Sequence, residues 1–221
     1  MTKQKTITTI NPATNKKIDT FHFMTDEEMN NAIESCHKAF LDWKHVSLKK
    51  RAKIIRAIGT QLLKSKEELS KLMTQEMGKL LSQSSDEIDL CAGICEYTAK
   101  KGKKALKDET RKLSKGGKGI VTYSPTGIIY GIQPWNYPSY QVIRYAIVNL
   151  MAGNGVLLKH AENVTGTGKM LEKIFTDAGL PENLFKVIII NHEQSDKVIE
   201  SKLIRGVTLT GSSGPGEKVG K

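Results

Sequence analysis

Residues Gln133-Pro134-Trp135-Asn136-Tyr137-Pro138 place a primary amide between two prolines, directly behind an apolar run from Ile128 to Ile132. Each proline fixes its own φ and biases the residue before it away from helix, so Trp135-Asn136-Tyr137 is expected to be extended. A carboxamide held at the carboxyl end of a strand suits an oxygen atom that gathers negative charge during a reaction. Lys159 and Glu162 come after a second apolar run, Val156 to Leu158, and Gly211-Ser212-Ser213-Gly214-Pro215-Gly216 comes after a third. Those glycines let backbone N–H groups approach a pyrophosphate, and the helical pattern behind them adds the positive end of a dipole. The literal G-x-G-x-x-G spacing is absent. The plain alternatives are a flexible turn for the glycine loop, a strand-end cap for Asn136, and an exposed surface pair for Lys159 with Glu162.

The elements that must position these groups are short apolar strands alternating with helical patterns. Strands are expected at Ile120–Tyr123, Ile128–Ile132, Val156–Lys159, Lys186–Ile190 and Val207–Thr210. Helices are expected at Ser139–Met151, Thr165–Ala178 and Glu193–Ser201. This alternation predicts an α/β fold with a parallel sheet covered on both faces. Open parallel sheets bind ligands at the carboxyl ends of their strands, where Asn136, Lys159 with Glu162, and Gly211-Ser212 all fall.

The first hundred residues read as helical. Thr25 with Glu28, Ser65 with Glu68 and Ser84 with Glu87 have capping-box spacing, Leu48–Lys64 fits a further helix, and Gly78 fits a helix stop. Composition is that of a globular chain, with 38% hydrophobic and 26% charged residues. No apolar run approaches the roughly 18 residues of a membrane span, and the start, Met1 to Lys5, leads into no apolar leader core. A cytoplasmic location is therefore expected. The 3 cysteines suit a reducing compartment. Cys91 and Cys95 stand one helical turn apart with no further metal ligands nearby, so core packing is expected rather than a metal site. Much of the net charge of +11 comes from a basic stretch between Lys100 and Lys118 that includes Lys115. No aromatic residue interleaves it, which weighs against nucleic acid and for a solvated surface or an acidic protein partner.

In order and spacing, Pro134-Trp135-Asn136, Leu157-Leu158-Lys159-His160-Ala161-Glu162 and Thr208-Leu209-Thr210-Gly211-Ser212 resemble the NAD(P)-dependent aldehyde dehydrogenase superfamily. The likeness runs from Asn11-Pro12 to the chain end and is nearest to the bacterial succinate-semialdehyde branch. It implies an N-terminal helical region (residues 1–103), part of an oligomerisation arm (about 104–124) and a Rossmann-like dinucleotide-binding part (about 125–221). It also implies roles. Asn136 would be the oxyanion donor. Gln133, Pro134 and Trp135 would line the cofactor cleft, Lys159 and Glu162 would hold the adenosine ribose, and Gly211, Ser212 and Gly216 would form the pyrophosphate loop. Gly214-Pro215 departs from the bulkier pair usual there. Arg144 would grip a substrate carboxylate, with a structural salt bridge as its alternative. A carboxylate at Glu162 repels a 2′-phosphate, so NAD is expected ahead of NADP. The family's general base and nucleophilic cysteine fall beyond these motifs. The chain is therefore expected to stop short of the catalytic thiol domain and not to oxidise aldehydes alone. The partners implied are a small aldehyde and a second copy or a separate C-terminal chain.

Overall fold

A computed structural model describes residues 5–114 and 116–220; Met1 to Gln4, Lys115 and Lys221 lie outside them. The chain opens with a hairpin, β1 (Thr6–Ile10) antiparallel to β2 (Lys17–His22). This corrects the helical reading of that part of residues 1–103. β1 consists of β-branched Thr and Ile with Ile7 and Thr9 facing inward, and Asn15 takes a positive φ of 54° in the turn, a conformation asparagine tolerates better than most residues.

Four helices follow: α1 (Asp26–Trp43), α2 (Leu48–Lys64), α3 (Lys66–Met77) and α4 (Leu81–Ala105). Thr25 caps α1 with both reciprocal bonds to Glu28, as its spacing predicts. The other two boxes are corrected. Ser65 is already committed to the end of α2, its N–H donating to Gln61 and Leu63, and makes no side-chain cap for α3. Ser84 lies buried inside α4, which begins at Leu81. Gly78 ends α3 with a φ of 77°, the left-handed geometry that glycine adopts without a Cβ penalty. A second hairpin, β3 (Glu109–Lys112) with β4 (Lys118–Val121), precedes the sheet.

The sheet is parallel in the order β7-β6-β5-β8, from β5 (Ile128–Gln133), β6 (Gly155–His160), β7 (Phe185–Val187) and β8 (Ile204–Leu209). The helices between them are α5 (Tyr140–Ala152), α6 (Thr165–Asp177) and α7 (His192–Glu200), and α8 (Ser213–Gly220) follows β8. One face packs on α2, α4, α5 and α6 around Ile55, Ile88, Ile147, Leu158 and Phe175. The other packs on α1 and α7 through Met29, Ile33, Tyr130, Leu157 and Val198. The central strands are apolar on both sides for this reason, and every residue of β6 is buried. Gly131 is needed where α5 crosses β5, since a Cβ there would sit 2.2 Å from Tyr145 Cζ. From β5 the chain winds outward through β6 to β7, then returns to place β8 on the far side of β5. The winding direction reverses between β5 and β8, which is where such sheets open a crevice beyond their carboxyl ends. Among the described residues, no helix is long and apolar enough to cross a membrane.

Candidate functional site

A cleft of about 840 Å³ opens at this reversal point. Its floor is Ile132, Gln133 and Pro134 from the end of β5, Lys159, His160 and Ala161 from β6, and Leu209, Thr210 and Gly211 from β8. Its walls are α7, through His192, Ser195, Asp196 and Ile199, and α8, through Gly214, Pro215 and Lys218. The α7 wall was not foreseen, because its residues are ordinary amphipathic-helix types with no chemical signature. The volume lies within the range of small-molecule and cofactor sites, about 300–1,000 Å³.

The strand register brings Lys159 beside Ile132, and His160 beside Gln133. Lys159 is only 8% exposed, and no hydrogen bond or ion pair engages its ammonium among the described residues. Burial lowers its pKa, an effect that the neighbouring Glu162 carboxylate partly opposes. The surface-pair alternative is thereby excluded for Lys159, whereas Glu162 is exposed at the start of a short 3₁₀ turn, Glu162–Val164. Gln133 is 3% exposed; its Nε2 reaches only the Thr208 carbonyl, at 3.5 Å, and its Oε1 has no partner. Gln133 Oε1 is a buried acceptor without a partner, which is costly unless a ligand completes it, and the Lys159 ammonium faces the same cleft with no protein partner among the described residues.

Asn136 stands on the exposed loop that continues from Pro134. Its Oδ1 accepts from the Tyr137 N–H at 3.1 Å, which leaves Nδ2 as the outward donor. Trp135 beside it is 50% exposed. Arg144, on α5, makes no salt bridge among the described residues. Its Nη2 donates to Thr210 Oγ1 at 3.0 Å, at the rim of the cleft, and its guanidinium lies near the Tyr140 ring. Ser212 and Gly216 flank the cleft-lining Gly211, Gly214 and Pro215, and the Gly216 N–H reaches the Ser212 carbonyl at 3.4 Å. The structure thus brings Gln133, Pro134, Lys159 and Gly211 onto one cavity. Trp135, Asn136, Arg144, Glu162, Ser212 and Gly216 stand around it without lining it.

None of the cysteines approaches this cleft. Cys36, Cys91 and Cys95 are free and buried. Burial pushes the thiols of Cys36 and Cys95 up to about 12, and burial together with the Glu87 carboxylate raises Cys91. These are packing residues, not thiolates in waiting.

A doubly covered parallel sheet with a glycine turn, a buried lysine and a cleft at its reversal point defines a dinucleotide-binding type of α/β domain. The aldehyde dehydrogenase family model matches residues 1–221, and the chain belongs to that family. It is 36% identical over 216 residues to the succinate-semialdehyde dehydrogenase (NADP(+)) of Deinococcus radiodurans, covering 98% of this chain and 45% of that protein. It is 34% identical over 211 residues to the succinate semialdehyde dehydrogenase (NAD(P)+) Sad of Escherichia coli, covering 96% of this chain and 46% of that protein. Among solved structures, a succinic semialdehyde dehydrogenase from Streptococcus pyogenes in complex with NADP+ superimposes with a TM-score of 0.93 at 30% identity, over 97% of this chain and 47% of that one. The chain spans about half the length of these relatives and corresponds to their N-terminal portion.

Proposed function

We propose that this chain supplies the cofactor-binding half of an NAD(P)-dependent aldehyde dehydrogenase acting on succinate semialdehyde. The observation that carries the reading is Lys159, its stem buried and its ammonium facing, without a protein partner among the described residues, a cleft that the Gly211 turn also lines. The cleft fits a dinucleotide: Lys159 would donate to ribose hydroxyls, Gln133 Oε1 would accept from a hydroxyl or amide, and backbone N–H groups after Gly211 would meet the pyrophosphate. Bound NAD(P)+ supplies the acceptor for hydride leaving the aldehyde carbon. Asn136 Nδ2 would donate to the aldehyde oxygen as its charge grows, and Arg144 would pair with the distal carboxylate through its planar guanidinium. Glu162, close enough to Lys159 to oppose the fall in its pKa, disfavours a 2′-phosphate, so NAD is preferred and NADP is the weaker ligand. The relatives named above carry NADP(+) or NAD(P)+ in their names, which supports acceptance of both.

The hairpin of β3 and β4 exposes Ile120 (70%) and Leu113 (55%), which fits an arm that pairs with another chain. Three buried free cysteines fit a reducing, cytoplasmic setting. Because no cysteine of these 221 residues lines the cleft, these residues alone are expected to oxidise no aldehyde; the alternative is a nucleotide-binding fragment that pairs with a separate C-terminal chain. Thermal unfolding with NAD and NADP tests the binding claim. Millimolar NAD is expected to raise the midpoint more than NADP does, and no shift with either would overturn it. NADH formation from succinate semialdehyde by this polypeptide alone would overturn the inactivity claim.

A further inference from the structure

Lys79 and Glu87 form a buried ion pair outside the cleft. Lys79 Nζ lies 2.5 Å from Glu87 Oε2, and the two side chains are 6% and 0% exposed. Desolvation offsets much of the attraction in such a pair, so its worth lies in what it holds. Glu87 Oε1 accepts from the backbone N–H groups of Ser139 and Tyr140, both at 2.8 Å, and closes the first turn of α5. The Lys79 ammonium lies 3.7 Å from the centroid of the Tyr137 ring and makes a longer contact, 3.4 Å, to the Asn136 carbonyl oxygen. From Asn136 to Tyr140 each residue is thus gripped, Pro138 by His160 and the other four by this pair.

We propose that the Lys79–Glu87 pair is the positioning device for Asn136. It sets the backbone of the exposed loop before any ligand arrives, so that Nδ2 is already aimed. A donor fixed in advance costs no reorganisation when charge develops, and that is where such a group gains its effect. The charge on Lys79 is essential, since the carboxylate, the ring face and the carbonyl all answer to a cation. Glu87 is a helix cap at long range, joining α4 to α5 across the loop. The catalytic meaning rests on the reading of Asn136 as an oxyanion donor; the ordering of the loop does not.

The test is ¹⁵N relaxation of the full 221-residue chain, wild type against Lys79→Met, Lys79→Arg and Tyr137→Leu, with NAD titrated into each. In the wild type, order parameters at the Asn136 and Tyr137 amides are expected near those of rigid backbone, about 0.85, falling below about 0.6 in K79M. Methionine fills the lysine volume without its charge, so a merely space-filling role would leave these values unmoved. Arginine is expected to restore them. If K79M does not fold, Tyr137→Leu decides: its side chain is half exposed, and loosening at Asn136 supports the proposal while wild-type order overturns it. A wild-type loop that is rigid and charge-dependent in a chain that fails to bind NAD would sink the dinucleotide reading and leave this proposal standing. NAD binding with an Asn136 equally rigid in K79M would do the reverse.

Discussion

His160 Nε2 donates to the Pro138 carbonyl at 2.8 Å, tying the strand end that carries Lys159 to the loop that carries Asn136. A carbonyl can only accept, so Nε2 bears the proton and Nδ1 is left to accept from the Ala161 N–H at 3.0 Å. The ring is buried, and burial pushes its pKa down to about 4 from 6.5, with the two carbonyls opposing and Lys159 assisting. Between those values the unfolded chain binds a proton that the folded protein refuses. The stabilisation is complete above pH 6.5 and is lost as pH falls towards 4. Linkage gives about 2 kcal/mol lost between pH 7 and pH 5 at this one group. Urea titrations at both pH values are expected to show that loss in the wild type and its absence in His160→Gln.

Lys159 trades stability for binding. Its side chain is largely desolvated and its ammonium has no protein partner among the described residues, and its lowered pKa means that folding is disfavoured at neutral pH and regains stability as pH rises through the folded value towards that of free lysine. Lys159→Met is expected to raise stability by about 1 kcal/mol, a few degrees in the unfolding midpoint, and to weaken NAD binding at least about tenfold. Scanning calorimetry with isothermal titration separates the two effects. A variant less stable than wild type with unchanged affinity contradicts this account of the site.

Glu76 anchors α6 to α3. Its carboxylate accepts from the N–H groups of Gly166 and Thr167, both at 2.9 Å, and from Thr167 Oγ1 at 2.7 Å. This cap holds the 3₁₀ turn that carries Glu162. Glu76→Ala is expected to cost about 2–4 kcal/mol, because the N–H groups it satisfies become orphans. Gly166→Ala would place a Cβ 2.6 Å from Glu76 Oε1 and push the same carboxylate away. The double variant is therefore expected to lose clearly less than the sum of the singles by chemical denaturation. Additive losses would show that the carboxylate does not mediate the Gly166 effect.

The alternation of apolar runs with amphipathic ones made the sheet and its helices legible to within a few residues: β5 begins at Ile128, as read, and runs one residue past Ile132. The strand ends also brought Gln133, Lys159 and Gly211 onto one cleft. What stayed hidden depended on contacts far apart in sequence. Among the described residues β1 and β2 pair with each other alone, and their mixed polar pattern carries no helical signal. Glu87 has perfect local spacing for a cap on Ser84, yet it caps α5, 52 residues away, because α4 starts a turn before Ser84 and buries it. Glu76-Met77-Gly78-Lys79, a stretch that resembles a family signature, reads as structural at a helix end; the reach of Lys79 to Glu87 and Tyr137 was not legible. The wall of the cleft formed by α7 comes from the return of the chain to β8, a choice of topology that no single residue announces.

The central claim is that the carboxyl ends of β5, β6 and β8 form one dinucleotide site. Its most direct test is an amide-shift titration of the ¹⁵N-labelled chain with NAD. The account predicts saturable shifts concentrated at Gln133, Lys159, Gly211 and Ser212, and their loss in Lys159→Met. Shifts confined to the basic stretch between Lys100 and Lys107, or no saturable shifts at all, would contradict it.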